Sequence, residues 1–399
     1  MKKKISFSTA ISYVFIAMTV TFCLTMVISS KMFESKVASV NEKETMYDKI
    51  ADIDQTVRQN YYTSLDDTRV TEGMARGYVR GLNDADSLYY SVRQMSEYQD
   101  IQAGKVIGIG VDIIKSREDG GYMKVYNVYT DSPADVQGIV SGDTITAIDG
   151  ISTINMQVET ARQMLSGLSG TTLELTYVHE GSETTATLTH KAYDAPSVIS
   201  SKEGDYGYLK ITSFNAKTAS ELEYSANNLI GQEVKALVID VRDNASKDFD
   251  SAAAAADILL KEGTTMYAVY QDGEKKVLYT SDKTSVSVPI VLVTNSGTGY
   301  ASEMFTVMLK DIAGAKTVGT TTMGKGGLQK MFRLPDGSGV ELTVAILNPI
   351  TSRVYNGTGI VADYEKTLDA NQELTYVTMS PSEDPQVVRA FEVAGNLSK

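Results

Sequence analysis

Hydrophobic positions along this chain change their spacing in stages, and each stage predicts a different kind of element. The first stage is an uncharged stretch over residues 5–30 that contains Tyr13, Val14, Phe15, Ile16, Phe22, Leu24 and Val27. It is long enough to cross a bilayer core, which takes roughly 20 residues. Ile50, Ile53, Val57 and Tyr61 then recur at helical spacing, and a second helical pattern runs from Thr71 through Met74, Tyr78 and Leu82, with Glu72 as a first-turn acid. Asn83-Asp84-Ala85-Asp86-Ser87 breaks that pattern. From Gly108 the chain reads as short alternating strands, β-rich over 125–128 and 173–178, with a short amphipathic helix over 156–165. From about Tyr206 continuous apolar runs, Ala236-Leu237-Val238-Ile239 and Ile290-Val291-Leu292-Val293, alternate with helical patterns over 216–229, 251–260 and 300–312. Apolar runs flanked by helices imply a sheet covered on both faces, an α/β core.

These shifts divide the chain into residues 1–30, a lysine cluster and transmembrane anchor; 31–104, a helical arm; 105–192, a β-rich domain; and 193–399, the α/β core. Met1-Lys2-Lys3-Lys4 ahead of the apolar stretch predicts a single pass through the cytoplasmic membrane, with the N-terminus inside and the body extracytoplasmic. No small-x-small cleavage site follows, since Ser29-Ser30-Lys31-Met32 is a poor one, so the helix is read as uncleaved. The arm serves as a spacer or as a dimerisation arm. With 50 acidic against 37 basic residues the formal charge is -13, a field that repels phosphate backbones and argues against nucleic acid as a partner. The single cysteine, Cys23, excludes an intrachain disulfide and a thiolate metal cluster. His179 and His190 lack metal-ligand spacing and read as surface or packing residues. With neither a ligand cluster nor a phosphate loop, no metal and no cofactor is implied.

Two resemblances give these domains a meaning. Gly108-Ile109-Gly110-Val111, followed in order by Ser132-Pro133-Ala134, Gly138-Ile139, Gly142-Asp143, Ile145, Ile148 and Asp149-Gly150, resembles a PDZ domain over most of its length. The resemblance implies strand addition: an extended peptide pairs with an open sheet edge, and its terminal carboxylate lodges on the backbone N–H groups of Gly108, Ile109, Gly110 and Val111. The implied partners are protein C-termini or unfolded tails.

The last half resembles the core of the S41 family, the C-terminal-processing serine peptidases. Gly207-Tyr208-Leu209-Lys210-Ile211-Thr212-Ser213-Phe214, Val238-Ile239-Asp240-Val241-Arg242-Asp243-Asn244, Met323-Gly324-Lys325-Gly326-Gly327-Leu328-Gln329, Gly357 to Asp363 and Asp384-Pro385-Gln386 each match a family segment. In active members a serine is the nucleophile, a lysine its general base, and a glutamine four residues on holds the lysine. By that motif Lys325 is the base and Gln329 its partner. Serine is inert at its own pKa, which is why the chemistry needs a base beside it. The family often dimerises, so a homodimer is among the implied partners.

The nucleophile's element reads Gly-Ser-Ala-Ser-Ala-Ser-Glu in the family. Aligning Ala301-Ser302-Glu303 puts Tyr300 at the nucleophile position and Thr298 at the first serine. The family's Pro-Gly-Gly, which helps to form the oxyanion hole, is replaced by Ala245-Ser246-Lys247. Both departures point to a degenerate member. Three readings stay open: a pseudoprotease that keeps its peptide grooves; an active endopeptidase using the Tyr300 phenol or a displaced hydroxyl, Ser302, Ser296 or Thr298; and a dimeric scaffold that binds nothing.

Overall fold

The computed structural model describes residues 7–115, 121–282, 286–369 and 372–398. They form a compact unit that reaches Met74 and a second one from Ala75 onward.

In the first unit, Phe7–Asn60 is one helix of 54 residues. Arg58 near its end pairs with Asp54 at 2.8 Å and with Asp67 at 2.6 Å. The anchor expected over residues 1–30 lies partly outside the described residues, and among the described residues no helix is long and apolar enough to cross a membrane. Polar positions interrupt that stretch, and the hydroxyls of Thr21 and Thr25 donate back to the carbonyls four residues earlier. The next helix runs Asp67–Arg80, a few residues ahead of the predicted pattern.

The second unit opens with a correction to the helical arm. Residues 88–90 form a strand, Leu88–Tyr90, antiparallel to Gly339–Asn348 some 250 positions downstream. The helix Val92–Gln102 follows, closed at its start by a Ser91/Gln94 capping box.

The β-rich domain carries a sheet ordered Val111–Lys115, Met123–Val128, Thr144–Ile148, Thr172–His179, Ser182–Thr189. Alternation decides which face is inside: Leu173, Leu175 and Tyr177 are buried and the residues between them are not. The short helix Pro133–Gln137 is built from local signals, with Ser132 as N-cap, Pro133 in the first turn and Gly138 closing it in the left-handed region at φ 85°. One histidine packs and the other lies at the surface. His190 is buried against Thr171 and the Leu165 carbonyl, and His179 pairs with Asp143 at 2.8 Å.

The core sheet is ordered Val198–Glu203, Tyr206–Ile211, Ala236–Asp240, Ile290–Thr294, Lys316–Gly319, Tyr364–Glu365, parallel except for the first pair. Its central strands are buried on both faces, which explains their continuous apolar runs. Leu237, Ile239 and Leu292 pack on one side against the helices Thr218–Gly231, Phe249–Asp257 and Ala301–Ala313. Val238, Val291 and Val293 pack on the other against Pro385–Leu397. A second, antiparallel sheet of Leu88–Tyr90, Gly339–Asn348, Gly263–Tyr270 and Lys275–Ser281, with Gly327–Arg333 on the long strand, abuts this layer and carries the Gly-Lys-Gly loop.

Candidate active site

The position aligned with the nucleophile is built as a sharp strand-to-helix turn. Ile290–Thr294 ends, residues 295–299 turn, and Ala301–Ala313 begins. Tyr300, between turn and helix, has φ 51° and ψ -113°. A bulky side chain at positive φ is an outlier that only surrounding structure can enforce, and a strained turn of this kind is how hydrolases expose a nucleophile.

Glu303 is the clamp that enforces it. Fully buried, it accepts the N–H of Tyr300 at 3.2 Å, of Gly324 at 2.7 Å and of Lys325 at 2.7 Å, together with the Thr322 hydroxyl. One carboxylate thus ties the turn to the Gly-Lys-Gly loop. Burial pushes the Glu303 carboxyl above the usual range, against the pull of its hydrogen bonds.

The side chains that meet at this place are not the set expected. The Lys325 ammonium lies on both oxygens of Asp86, at 2.9 and 3.0 Å. The Tyr300 hydroxyl donates to the same carboxylate at 2.6 Å. Lys247 donates to the Asp86 carbonyl at 3.3 Å, pairs with Glu341 at 2.8 Å and lies 5.1 Å from the centre of the Tyr300 ring. Gln329, expected to hold Lys325, instead donates to the Thr343 hydroxyl at 2.9 Å, and Thr343 in turn donates to Asp84 at 2.6 Å. The acids of the Asn83 to Ser87 break therefore reach the centre of the site. Their only signal in the sequence was two carboxylates in a segment that interrupts a helical pattern. Burial, and then the bond to Asp86, push the Tyr300 phenol well above its ordinary range, so it stays protonated at neutral pH.

The oxyanion region is also occupied. The Ala301 N–H, first of the helix, donates to the Ser246 carbonyl at 3.0 Å, and the Gly299 N–H donates to the Asn244 carbonyl at 3.0 Å. The Ser246 carbonyl, in the loop that replaces Pro-Gly-Gly, is an acceptor where an oxyanion needs donors. Of the displaced hydroxyls, Thr298 donates to the Val241 carbonyl at 2.9 Å, and Ser302 is fully buried with no partner among the described residues. Ser296 is exposed on the turn.

Beneath the loop lies a buried ionic network. Arg242, 3% exposed, donates to Asp240 at 2.6 Å, Asp384 at 2.7 Å and Gln386 at 2.8 Å, so the closing Asp384-Pro385-Gln386 segment locks onto the strand that leads into the site. Burial alone would raise the Asp240 carboxyl, but the Arg242 guanidinium holds it below its usual range. Arg242 also borders a cleft of ≈ 990 Å³ between the β-rich domain and the core, shared with Asp112, Tyr126, Ile199 and Tyr208.

The glycine loop of the β-rich domain is arranged for strand addition. Val111–Lys115 is the edge of its sheet. The Ile109 carbonyl accepts the Ala134 N–H at 2.8 Å and the Gly110 carbonyl accepts the Tyr129 N–H at 3.0 Å. In trans peptides this turns the N–H groups of Gly110 and Val111 away from those two partners. Only glycine fits at 110: φ is 82°, and an added Cβ would lie 2.0 Å from the Ser132 Cβ.

Comparison with known proteins agrees with this architecture. Residues 205–366 match the model of peptidase family S41 and residues 124–178 that of a PDZ domain. The carboxy-terminal processing protease CtpA of Bacillus subtilis is 28% identical over 337 residues, 83% of this chain and 71% of that protein. Carboxyl-terminal-processing peptidase 2, chloroplastic, of Arabidopsis thaliana is 32% identical over 276 residues, 65% of this chain and 53% of that protein. Among solved structures, a photosystem II D1 C-terminal processing protease superposes with a TM-score of 0.50 at 24% identity, covering 79% of this chain and 86% of the other. A Bacteroides fragilis protein described as an S41 protease superposes at 0.57 and 17% identity, covering 87% and 97%. From its second strand to its last the core thus matches peptidase family S41, with a match to a PDZ domain ahead of it.

Proposed function

We propose that this chain is a pseudoprotease, which binds protein C-termini or unfolded tails through its PDZ domain without cleaving them efficiently. The observation that carries this reading is the hydrogen bond from the Ala301 N–H to the Ser246 carbonyl beside Tyr300: the nucleophile is replaced, and a donor beside it is already engaged. A phenol held protonated and capped by Asp86 supports the same reading, because nucleophilic catalysis needs an activated oxygen. The edge strand Val111–Lys115 and the N–H groups of Gly110 and Val111, turned away from Ala134 and Tyr129, support peptide capture by strand addition. The lysine cluster and uncharged stretch at the N-terminus support a membrane-anchored, extracytoplasmic placement; cell fractionation with protease shaving tests it, and a body protected in intact cells rejects it.

Two measurements on the full chain test the function. Fluorescence polarisation with unstructured peptides is expected to show binding that amidation of the C-terminus abolishes; no binding of either form would leave a scaffold. Incubation with casein is expected to leave it intact. Cleavage that Lys325→Ala abolishes would make the chain an active endopeptidase and refute the reading.

A further inference from the structure

The core cleft holds a charge arrangement that peptide hydrolysis does not call for. Three donors from separate parts of the chain converge on one residue: the Tyr300 hydroxyl and the Lys325 ammonium on the Asp86 carboxylate, and the Lys247 ammonium on the Asp86 carbonyl. Lys247 carries its own counter-ion in Glu341, whereas Lys325 is paired with Asp86. The Asp86 carboxylate receives a phenol and both contacts of an ammonium, a recognition geometry for a carboxylate. It is not deeply buried. The Asp86 side chain is 21% exposed and that of Lys325 32%, so solvent reaches the pair. The turn that delivers Asp86 is held by a second set of bonds, Asp84 taking the Asp86 N–H at 3.0 Å, the Ser87 hydroxyl at 2.6 Å and the Thr343 hydroxyl at 2.6 Å.

We propose that Tyr300 and Lys325 form a carboxylate-binding site, occupied in this structure by the chain's own Asp86 as an internal ligand, with Lys247 steadying the turn through the Asp86 carbonyl. Replacement of serine by tyrosine then has a positive consequence: the phenol reaches across the cleft as a hydrogen-bond donor, where a serine hydroxyl stops short. The external ligand is a peptide carboxylate, either a chain terminus or an acidic side chain, admitted when the Asp84–Ser87 turn withdraws. This site is separate from the PDZ loop, and its test does not depend on PDZ binding.

The experiment removes the internal ligand and supplies an external one. In the full-length Asp86→Ala variant, sodium acetate should raise the melting temperature above that in sodium chloride of equal ionic strength. The wild type and the Asp86→Ala/Lys325→Met variant should show no such difference. Absence of an acetate-specific shift in Asp86→Ala, or its persistence without Lys325, overturns the proposal. Should Asp86→Ala fail to fold, the isosteric Asp86→Asn serves. Acylation of Lys325 by an amine-reactive ester, read by peptide mass spectrometry, should be about tenfold faster in that variant than in wild type, as for loss of a hydrogen-bonded charged partner. Equal rates overturn the proposal. Protection of Lys325 in the variant by a peptide with a free C-terminus assigns the ligand to chain ends. Protection by an amidated peptide bearing glutamate assigns it to side chains, and protection by neither refutes a peptide ligand.

Discussion

Restoring the family's serine should not by itself restore a peptidase. In a Tyr300→Ser variant the hydroxyl would sit on the strained turn, at a backbone geometry set by Glu303 and independent of the side chain. The Ala301 N–H would still be engaged by the Ser246 carbonyl at 3.0 Å, and Lys325 would still lie on Asp86 at 2.9 Å. A missing oxyanion donor costs about 10²–10³ in rate, and a general base facing away costs about another 10²–10⁴. Freeing the loop should recover the first factor. The variant Tyr300→Ser/Ser246→Gly/Lys247→Gly is therefore expected to react at least about 100-fold faster than Tyr300→Ser alone. Adding Asp86→Asn should raise the rate again by releasing Lys325. The assay is the rate of fluorophosphonate labelling followed by intact mass, with Lys325→Ala as the control that should return the rate to background. If Tyr300→Ser alone labels as fast as the loop-substituted variant, the hydrogen bond to Ser246 is no obstacle and the reasoning fails.

Other consequences are open to simpler tests. Arg242→Met leaves Asp240 and Asp384 buried without their partner and should destabilise the core by about 3–5 kcal/mol in a denaturant titration. Ser302→Ala removes a buried hydroxyl without a partner, so stability should hold or rise by about 1 kcal/mol, and a loss of more than that would reveal a role for the oxygen. Asp84, Asp240, Asp311 and Asp363 are each partly or wholly buried, which alone would raise them, yet hydrogen-bond donors or cations hold all four below the ordinary carboxylate value. Depressed carboxyls bind fewer protons folded than unfolded, so their stabilisation is fully present above about pH 4 and is lost as pH falls through the folded values. Melting temperature measured from pH 6 down to pH 2 should fall in that window, and the fall should be shallower in Asp363→Asn, which lacks the pairing with Lys310.

Elements whose signal is local are legible in the chain. Continuous apolar runs at 236–239 and 290–293 mark strands covered on both faces, and the turn glycines and the cap at Ser132 mark the PDZ domain, because each depends on neighbours a few residues away. The replacement at Tyr300 was legible for the same reason: the motif around it fixes the position whatever occupies it. What surrounds that residue depends on the assembled fold. Asp86 lies 239 positions before Lys325 and 214 before Tyr300, in a segment that reads as the end of a helical arm, and no periodicity ties it to either. Gln329 has the spacing of a partner for Lys325, yet a register shift between Leu328 and Gln329 and a nearby Thr343 decide that its amide bonds elsewhere. Substitution of glycines at 246 and 247 announced a changed loop, but that its carbonyl would engage the Ala301 N–H follows from the packing of one loop on one helix end. Pairing across hundreds of residues is selected by the free energy of the assembled core, and a linear pattern carries no record of which distant groups meet there.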